Sequence, residues 1–299
     1  MQNIHSLLKR SVIKGVGMYY QHDINPVFFS LGPFINIHWY GMMYVIAFFL
    51  GWAIARYLSK LPFSNFSKND VEDLITYVIL GVILGGRIGY ILFYDLSYYL
   101  SNPLDMLKIW QGGMSFHGGF AGVLLVLLYW AHKNKKDYIE LTDFIAPCIP
   151  IGLFCGRIGN FINGELWGRE TELPWAVIFP SGGTIPRHPS QLYEAGLEGL
   201  LLFLILFFLA RKNPPKGLLS AVFCIGYALA RCFAEFFRIP DPQYGYFSGC
   251  FTMGQILCLP MFLIGFILLY FCKKWKEHPD YDTVRLKDGS LIRVRRYKK

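Results

Sequence analysis

Two groups of polar residues recur at helical spacing inside otherwise apolar sequence. Arg157, Asn160 and Asn163 lie in the run Gly156-Arg157-Ile158-Gly159-Asn160-Phe161-Ile162-Asn163-Gly164-Glu165-Leu166-Trp167-Gly168-Arg169, and Arg231, Glu235 and Arg238 lie in a later one. Residues three or four apart on an α-helix share a face, so each group projects its side chains together. A guanidinium keeps its charge when desolvated and offers a phosphate a rigid fork of donors. Two arginines against one carboxylate leave net positive charge, which favours an anionic partner and lets Glu235 orient Arg231. The competing readings are structural: an interhelical hydrogen-bond cluster for the first group, a plain ion pair for the second.

Other residues extend this chemistry. Arg87, in Gly85-Gly86-Arg87-Ile88-Gly89, is a third cation for the same ligand or a side chain that snorkels to the headgroups. His117, in Ser115-Phe116-His117-Gly118-Gly119, has the natural chemistry of a general base near neutral pH, and the two glycines after it leave the imidazole approachable. An interfacial histidine without chemistry is the alternative. His188 precedes Pro189 in a rigid turn that caps a helix, and Tyr40, in His38-Trp39-Tyr40-Gly41, doubles as an interface anchor. No metal-ligand spacing, HExxH, GxSxG or P-loop occurs, so no cofactor is implied. The seven cysteines form no CxxC pair and read as small buried hydrophobes.

The elements that position these residues are apolar. Of 299 residues 54% are hydrophobic and only 16% are charged, with a mean hydropathy of +0.36. Soluble domains carry about 25% charged residues. The fold class expected is all-α: a polytopic membrane helix bundle of about seven transmembrane helices with a small extracytoplasmic head domain. The spans run roughly over 39–58, 73–94, 116–132, 142–162, 192–210, 218–237 and 253–272, each near the 20 residues a bilayer needs. Pro147 and Pro150 predict a kink in the fourth. Residues 1–17 are an N-terminal extension, too polar for a signal peptide, with Met18 as an alternative start. The catalytic domain spans 18–276 and includes the Gly-, Pro- and Trp-rich head at about 163–191. Residues 277–299 form a basic tail.

Lys and Arg set the orientation. Arg56, Lys60 and Lys68, then Lys133, Lys135 and Lys136, then Arg211, Lys212 and Lys216, all flank one set of loops. Ten of the 29 basic residues lie from Lys273 onward, beyond the last span, where they face anionic lipid. The N-terminus is therefore expected outside and the tail in the cytoplasm. The net charge of +9 is not a nucleic-acid signal, because no aromatic-basic groove pattern accompanies it. In this orientation Tyr40, Arg87, Asp95, His117, Arg157, Asn160, Asn163, Glu165, Gln191, Glu194, Arg231, Glu235 and Arg238 all fall in the outer half. That placement predicts a cationic, histidine-containing pocket at the level of phospholipid headgroups. The alternative class, a transporter of anionic lipid or small anions using the same pocket, needs polar groups through the inner half and repeat symmetry.

The Gly156–Gly168 run resembles the signature of the bacterial prolipoprotein diacylglyceryl transferase family. His38 to Gly41, Gly85 to Arg87, Phe116 to Gly119, His188 to Glu194 and Arg231 to Arg238 resemble the same family in its order, from about Met18 to about Cys272. The resemblance implies an enzyme of the bacterial inner membrane that catalyses the first step of lipoprotein maturation. The diacylglyceryl group of phosphatidylglycerol passes to the thiol of a lipobox cysteine in a preprolipoprotein signal peptide, and glycerol phosphate leaves. It also implies roles. Arg157 and Arg231 hold the phosphate, with Glu235 orienting Arg231. His117 takes the thiol proton. Tyr40, Arg87, Asn160, Asn163, Glu165, Gly168, His188 and Arg238 bind substrate.

Overall fold

A computed structural model describes residues 19–32, 35–109, 112–239, 246–247, 251–276, 281–285 and 291–295. The expected extension at 1–17 lies outside them. Helices dominate: α1 (Trp39–Leu58), α2 (Lys68–Tyr94), α3 (Leu96–Ser101), α4 (Phe116–Lys133), α5 (Tyr138–Ile145), α6 (Ile149–Asn163), α7 (Ser190–Glu194), α8 (Leu202–Ala210), α9 (Leu218–Glu235) and α10 (Met253–Lys276). A π-helical segment, Ala195–Leu201, joins α7 to α8.

Among the described residues five helical stretches are long and apolar enough to cross a membrane: Trp39–Leu58, Lys68–Tyr94, Ser190–Ala210, Leu218–Glu235 and Met253–Cys272. The pair α5–α6 makes a sixth if taken as one span, bent by 45°. The break spans Ala146, Pro147 and Cys148, where the kink is expected, because proline has no N–H to continue the ladder. Of the seven expected spans, α4 falls short of this apolar standard. His117, His132 and Lys133 near its ends lower its mean hydropathy.

Small two-stranded sheets, absent from the all-α expectation, accompany the helices. Among the described residues β1 (Tyr20–Gln21) pairs in parallel with β4 (Val177–Ile178), and β2 (Val27–Leu31) pairs antiparallel with β3 (Ile35–His38), leading directly into α1. A third hairpin joins β5 (Tyr246–Phe247) and β6 (Phe251–Thr252). The basic tail contains a fourth, β7 (Tyr281–Arg285) with β8 (Leu291–Arg295).

The chain divides into two compact units. One comprises the described residues of Met1–Ile46, Leu153–Leu200 and Tyr227–Leu259. Its α6 ends at Gly164, whose φ of +66° is the left-handed conformation common after a helix. The loop from there to α7 is tied down by backbone bonds. Gly168 N donates to His188 O and Arg169 N to Phe237 O, each at 2.9 Å, so the 168–169 segment is flanked by 187–188 and 237–238. A Cβ at Gly168 would lie 2.4 Å from Phe237 O and 2.8 Å from His188 Cβ, so only glycine permits this approach.

The other unit comprises the described residues of Ala47–Gly152, Leu201–Gly226 and Pro260–Lys299. Its α2 begins with a capping box in which Ser67 and Asp70 satisfy each other's backbone N–H. Its centre is the contact of α2 with α4 through glycines four apart, Gly81, Gly85 and Gly89 against Gly118 and Gly122. A Cβ at Gly85 would sit 2.4 Å from Gly118 O and 2.8 Å from Gly122 Cα. Small residues at this spacing let membrane helices touch backbone to backbone. The glycines after His117 thus serve helix packing: Gly118 presses on Gly85 and Gly89, and Gly119 approaches Val82 O. At the start of α9 the buried Asp143 carboxylate accepts from Gly217 N, Ser220 N and Ser220 Oγ at 2.6–2.8 Å, capping that helix.

Candidate functional site

Arg157 sits in the middle of α6, Arg231 four residues before the end of α9, and Arg238 three residues beyond that helix's end. All three converge on Glu194, the last residue of α7. Arg238 Nη1 donates to Glu194 Oε1 at 2.8 Å, and Arg231 Nη1 to Glu194 Oε2 at 2.6 Å. Arg157 Nη2 lies 2.7 Å from the same Oε2. One turn on, within the π segment, Glu198 faces two of the same guanidinium nitrogens at greater distance, 3.9 Å from Arg157 and 3.8 Å from Arg231. The π segment is drawn onto α6 by Gly199, where a Cβ would lie 2.6 Å from Phe154 Cβ. Glu235 completes the cluster, 3.0 Å from Arg231 Nη2 and 3.5 Å from Arg238 Nε. The start of α10 presses on it: a Cβ at Gly254 would stand 2.8 Å from Glu235 Oε2.

Burial is graded across this cluster. The Glu194 and Glu198 side chains are 0% exposed, Glu235 is 5% and Arg238 9%, whereas Arg231 and Arg157 retain 14% and 19%. The carboxylates lie behind and the two arginines in front. Three carboxylates for three arginines make the cluster balanced, where the spacing of Arg231, Glu235 and Arg238 alone predicted net positive charge.

The rest of the Gly156–Gly168 run adjoins this unit's loop. Asn160 Nδ2 and Asn163 Nδ2 both donate to Glu165 Oε1, at 2.9 and 3.1 Å, and Gln191 Nε2 donates to Glu165 O at 2.6 Å. The acceptor oxygens of Asn163 and Gln191 are buried without a hydrogen-bond donor among the described residues. Tyr40 packs on this helix, since a Cβ at Gly159 would lie 2.9 Å from Tyr40 Cδ2, and its hydroxyl is 3.4 Å from that of Tyr44. His188 Nδ1 is 3.0 Å from Tyr193 Oη, which accepts from Trp175 Nε1 at 2.8 Å. Burial pushes the His188 imidazole below its ordinary pKa, which favours the neutral ring in that chain of hydrogen bonds.

Arg87 and His117 belong to the other unit. Arg87 is buried at 5% exposure and lies over the Tyr99 ring. Each of its nitrogens faces backbone carbonyls: Nε the one of Met106, Nη1 those of Gly112 and Gly113, and Nη2 those of Asp105 and Lys108, at 2.6–3.4 Å. With its donors directed at main chain, Arg87 organises the segment between α3 and α4. His117 is exposed in the first turn of α4, whose N-cap is Ser115.

A family model for prolipoprotein diacylglyceryl transferase matches residues 26–271. The chain belongs to the prolipoprotein diacylglyceryl transferase family. Its relatives include a phosphatidylglycerol–prolipoprotein diacylglyceryl transferase of Solidesulfovibrio magneticus, 52% identical over 84% of this chain and 96% of that protein. Others carrying the same name come from Nitratidesulfovibrio vulgaris strain DP4, at 53% over 82% and 94%, and from Coxiella burnetii strain RSA 331, at 48% over 87% and 99%.

For a prolipoprotein diacylglyceryl transferase the sequence arguments bring Arg157, Arg231, Glu235 and Arg238 to one pocket, and they place Glu194 at the same level without giving it the central part it has in the cluster. Glu194 and Glu198 are the two carboxylates of the apolar stretch Ser190–Ala210. Their i, i+4 spacing in such a setting was the available signal, because an unpaired carboxylate there is costly. His22 was missed as well. It is 4% exposed, packs against Phe161 and Phe179, and has no hydrogen-bond partner for Nε2 among the described residues.

Proposed function

We propose that this chain transfers the diacylglyceryl group of phosphatidylglycerol to the thiol of a lipobox cysteine in a preprolipoprotein. A carbon–sulfur bond forms, the bond from that carbon to the phosphate oxygen breaks, and glycerol phosphate leaves. The observation that carries this reading is the front edge of the buried cluster. Arg157 and Arg231 are backed by fixed carboxylates and keep accessible donors, so they are preorganised for the phosphate on which negative charge grows as it leaves. Arg238 is deeper and sets Glu194. Asn160, Asn163 and Glu165 position lipid and backbone, Tyr40 contacts the headgroup, and Gly168 lets the loop close on the end of α9. His188 contributes through its hydrogen-bonded turn, and Arg87 through the segment it holds. His117 accepts the thiol proton, since the thiolate is the useful nucleophile. The attacking sulfur is the substrate's, so none of the enzyme's cysteines is needed.

The same reading places the protein in the bacterial inner membrane, with α4 and the bent pair α5–α6 both spanning to give seven crossings. The amino terminus and the loop at about 163–191 then lie outside and the basic tail inside. An anion transporter needs polar groups along a path through the whole thickness, whereas these ion pairs gather in one cluster. The test is incubation of the purified protein with phosphatidylglycerol and a lipobox peptide. The expected result is a peptide mass gain of one diacylglyceryl unit that disappears when the cysteine is serine. A folded protein that yields no mass gain refutes the reading.

A further inference from the structure

Both side-chain oxygens of Glu198 are buried without a hydrogen-bond donor among the described residues, and the side chain is fully buried. Its nearest cations, at 3.8 and 3.9 Å, spend the same nitrogens on Glu194 at 2.6 and 2.7 Å. Glu194 has both oxygens engaged, and Glu235 Oε2, which also lacks a hydrogen bond among the described residues, has the Arg231 guanidinium much closer, at 3.0 Å. Glu198 also sits in a π-helical turn, a geometry uncommon in helices and concentrated at functional sites.

A balanced cluster has no charge to spare for a phosphodiester. Adding that anion beside three buried carboxylates leaves one negative charge without a counter-ion in a medium that solvates it poorly. A proton entering with the lipid removes the excess, and the carboxylate with the fewest partners gives up its charge at least cost.

We propose that phosphatidylglycerol binding is coupled to uptake of one proton from solvent by Glu198, which acts as a positioning residue by removing one negative charge from behind Arg157 and Arg231 and so leaving their positive charge to the lipid phosphate. This rests on the reading of those two arginines as the phosphate ligands. The groups that face Glu198 are Arg157 from α6, Arg231 and Tyr227 from α9, Arg238 beyond it, Cys258 from α10 and Glu194 from its own helix. The proton returns to solvent when the site empties.

The experiment uses the full chain in nanodiscs without peptide, so that lipid binds and no transfer occurs. Binding of phosphatidylglycerol is measured by calorimetry in buffers of different protonation enthalpy. Wild type should take up one proton per lipid, and its Kd should rise about tenfold per pH unit once Glu198 titrates. Diacylglycerol, which lacks the phosphate, should bind without uptake. Glu198→Gln should bind phosphatidylglycerol with neither uptake nor slope. Should that variant not fold, uptake retained by Glu235→Gln supports Glu198 as the site. The proposal is overturned by lipid binding without uptake in wild type, by uptake that persists in Glu198→Gln or vanishes in Glu235→Gln, or by equal uptake with diacylglycerol. A protein that binds diacylglycerol but no phosphatidylglycerol at any pH instead overturns the reading of the arginines, and the proposal with it.

Discussion

Arg231 donates to Glu194 at 2.6 Å, a shorter contact than the 3.0 Å it makes with Glu235 one turn away on its own helix. The partner that orients this arginine most tightly comes from a different helix. Glu194→Gln should therefore be more damaging than Glu235→Gln. Removing the charge leaves Arg157, Arg231 and Arg238 facing an amide, and losing one partner of a buried ion pair costs about 3–5 kcal/mol. A thermal-shift comparison in detergent checks this; equal midpoints for the two variants contradict it.

His117→Gln should keep the fold and lose transfer by at least ~10²-fold, the usual size of a general-base contribution. Peptide mass gain per unit time is the readout. A rate near wild type removes His117 from the base role and leaves the phosphate-holding arginines untouched.

Arg87 donates to carbonyls on both sides of the chain between α3 and α4. Arg87→Lys retains the charge and loses the fork that reaches them, so it should behave as a stability variant, with about 1–3 kcal/mol lost for the stranded carbonyls. Phosphatidylglycerol affinity of the folded fraction should be little changed. A selective loss of lipid affinity at full stability would restore Arg87 to the phosphate site.

The contact of α2 with α4 leaves no room for a side chain. Gly85→Val must push two backbones apart, at a cost of about 1–3 kcal/mol or more. Gly41→Ala, where a Cβ would meet nothing within 4 Å, is the matched control and should be silent in the same thermal assay.

His188 gives a pH dependence with a definite sign. Its folded pKa is depressed by burial, so its neutral form favours the native state. That contribution is complete above the ordinary histidine pKa of about 6.5 and is lost as pH falls through the lower folded value. Thermal midpoints of wild type and His188→Gln should therefore differ most at neutral pH and converge on acidification. A gap that widens toward acid pH contradicts the assignment.

Much of the architecture is legible in the sequence because long apolar runs leave few choices. The bounds of α1 coincide with the expected 39–58, and Pro147 marks the bend between α5 and α6. The grouping of Arg231, Glu235 and Arg238 follows from helical spacing alone. What spacing cannot reveal is which helix supplies the remaining partners, so it gives Glu194 no partner, does not bring in Glu198 and predicts a cationic cluster. Glycines carry the same ambiguity. Next to His117 they suggested access, yet their missing side chains admit the backbone of α2. Arg87 looked like a ligand because its acceptors are main-chain carbonyls, which have no signature in residue type.

The π-helical turn at Ala195–Leu201 also fixes an angular phase. Such a turn holds about one residue more than an α-helix over the same rise, and each residue advances the helix by about 100°. Glu194 before the turn faces the arginines, while within it Glu198 faces two of the same nitrogens and Gly199 meets Phe154 of α6. Deleting one residue between them would restore a regular helix and rotate one set by about a quarter turn relative to the other. The length of this segment is thus as constrained as its residue types, and single-residue indels should be tolerated far less here than substitutions on its lipid-facing side.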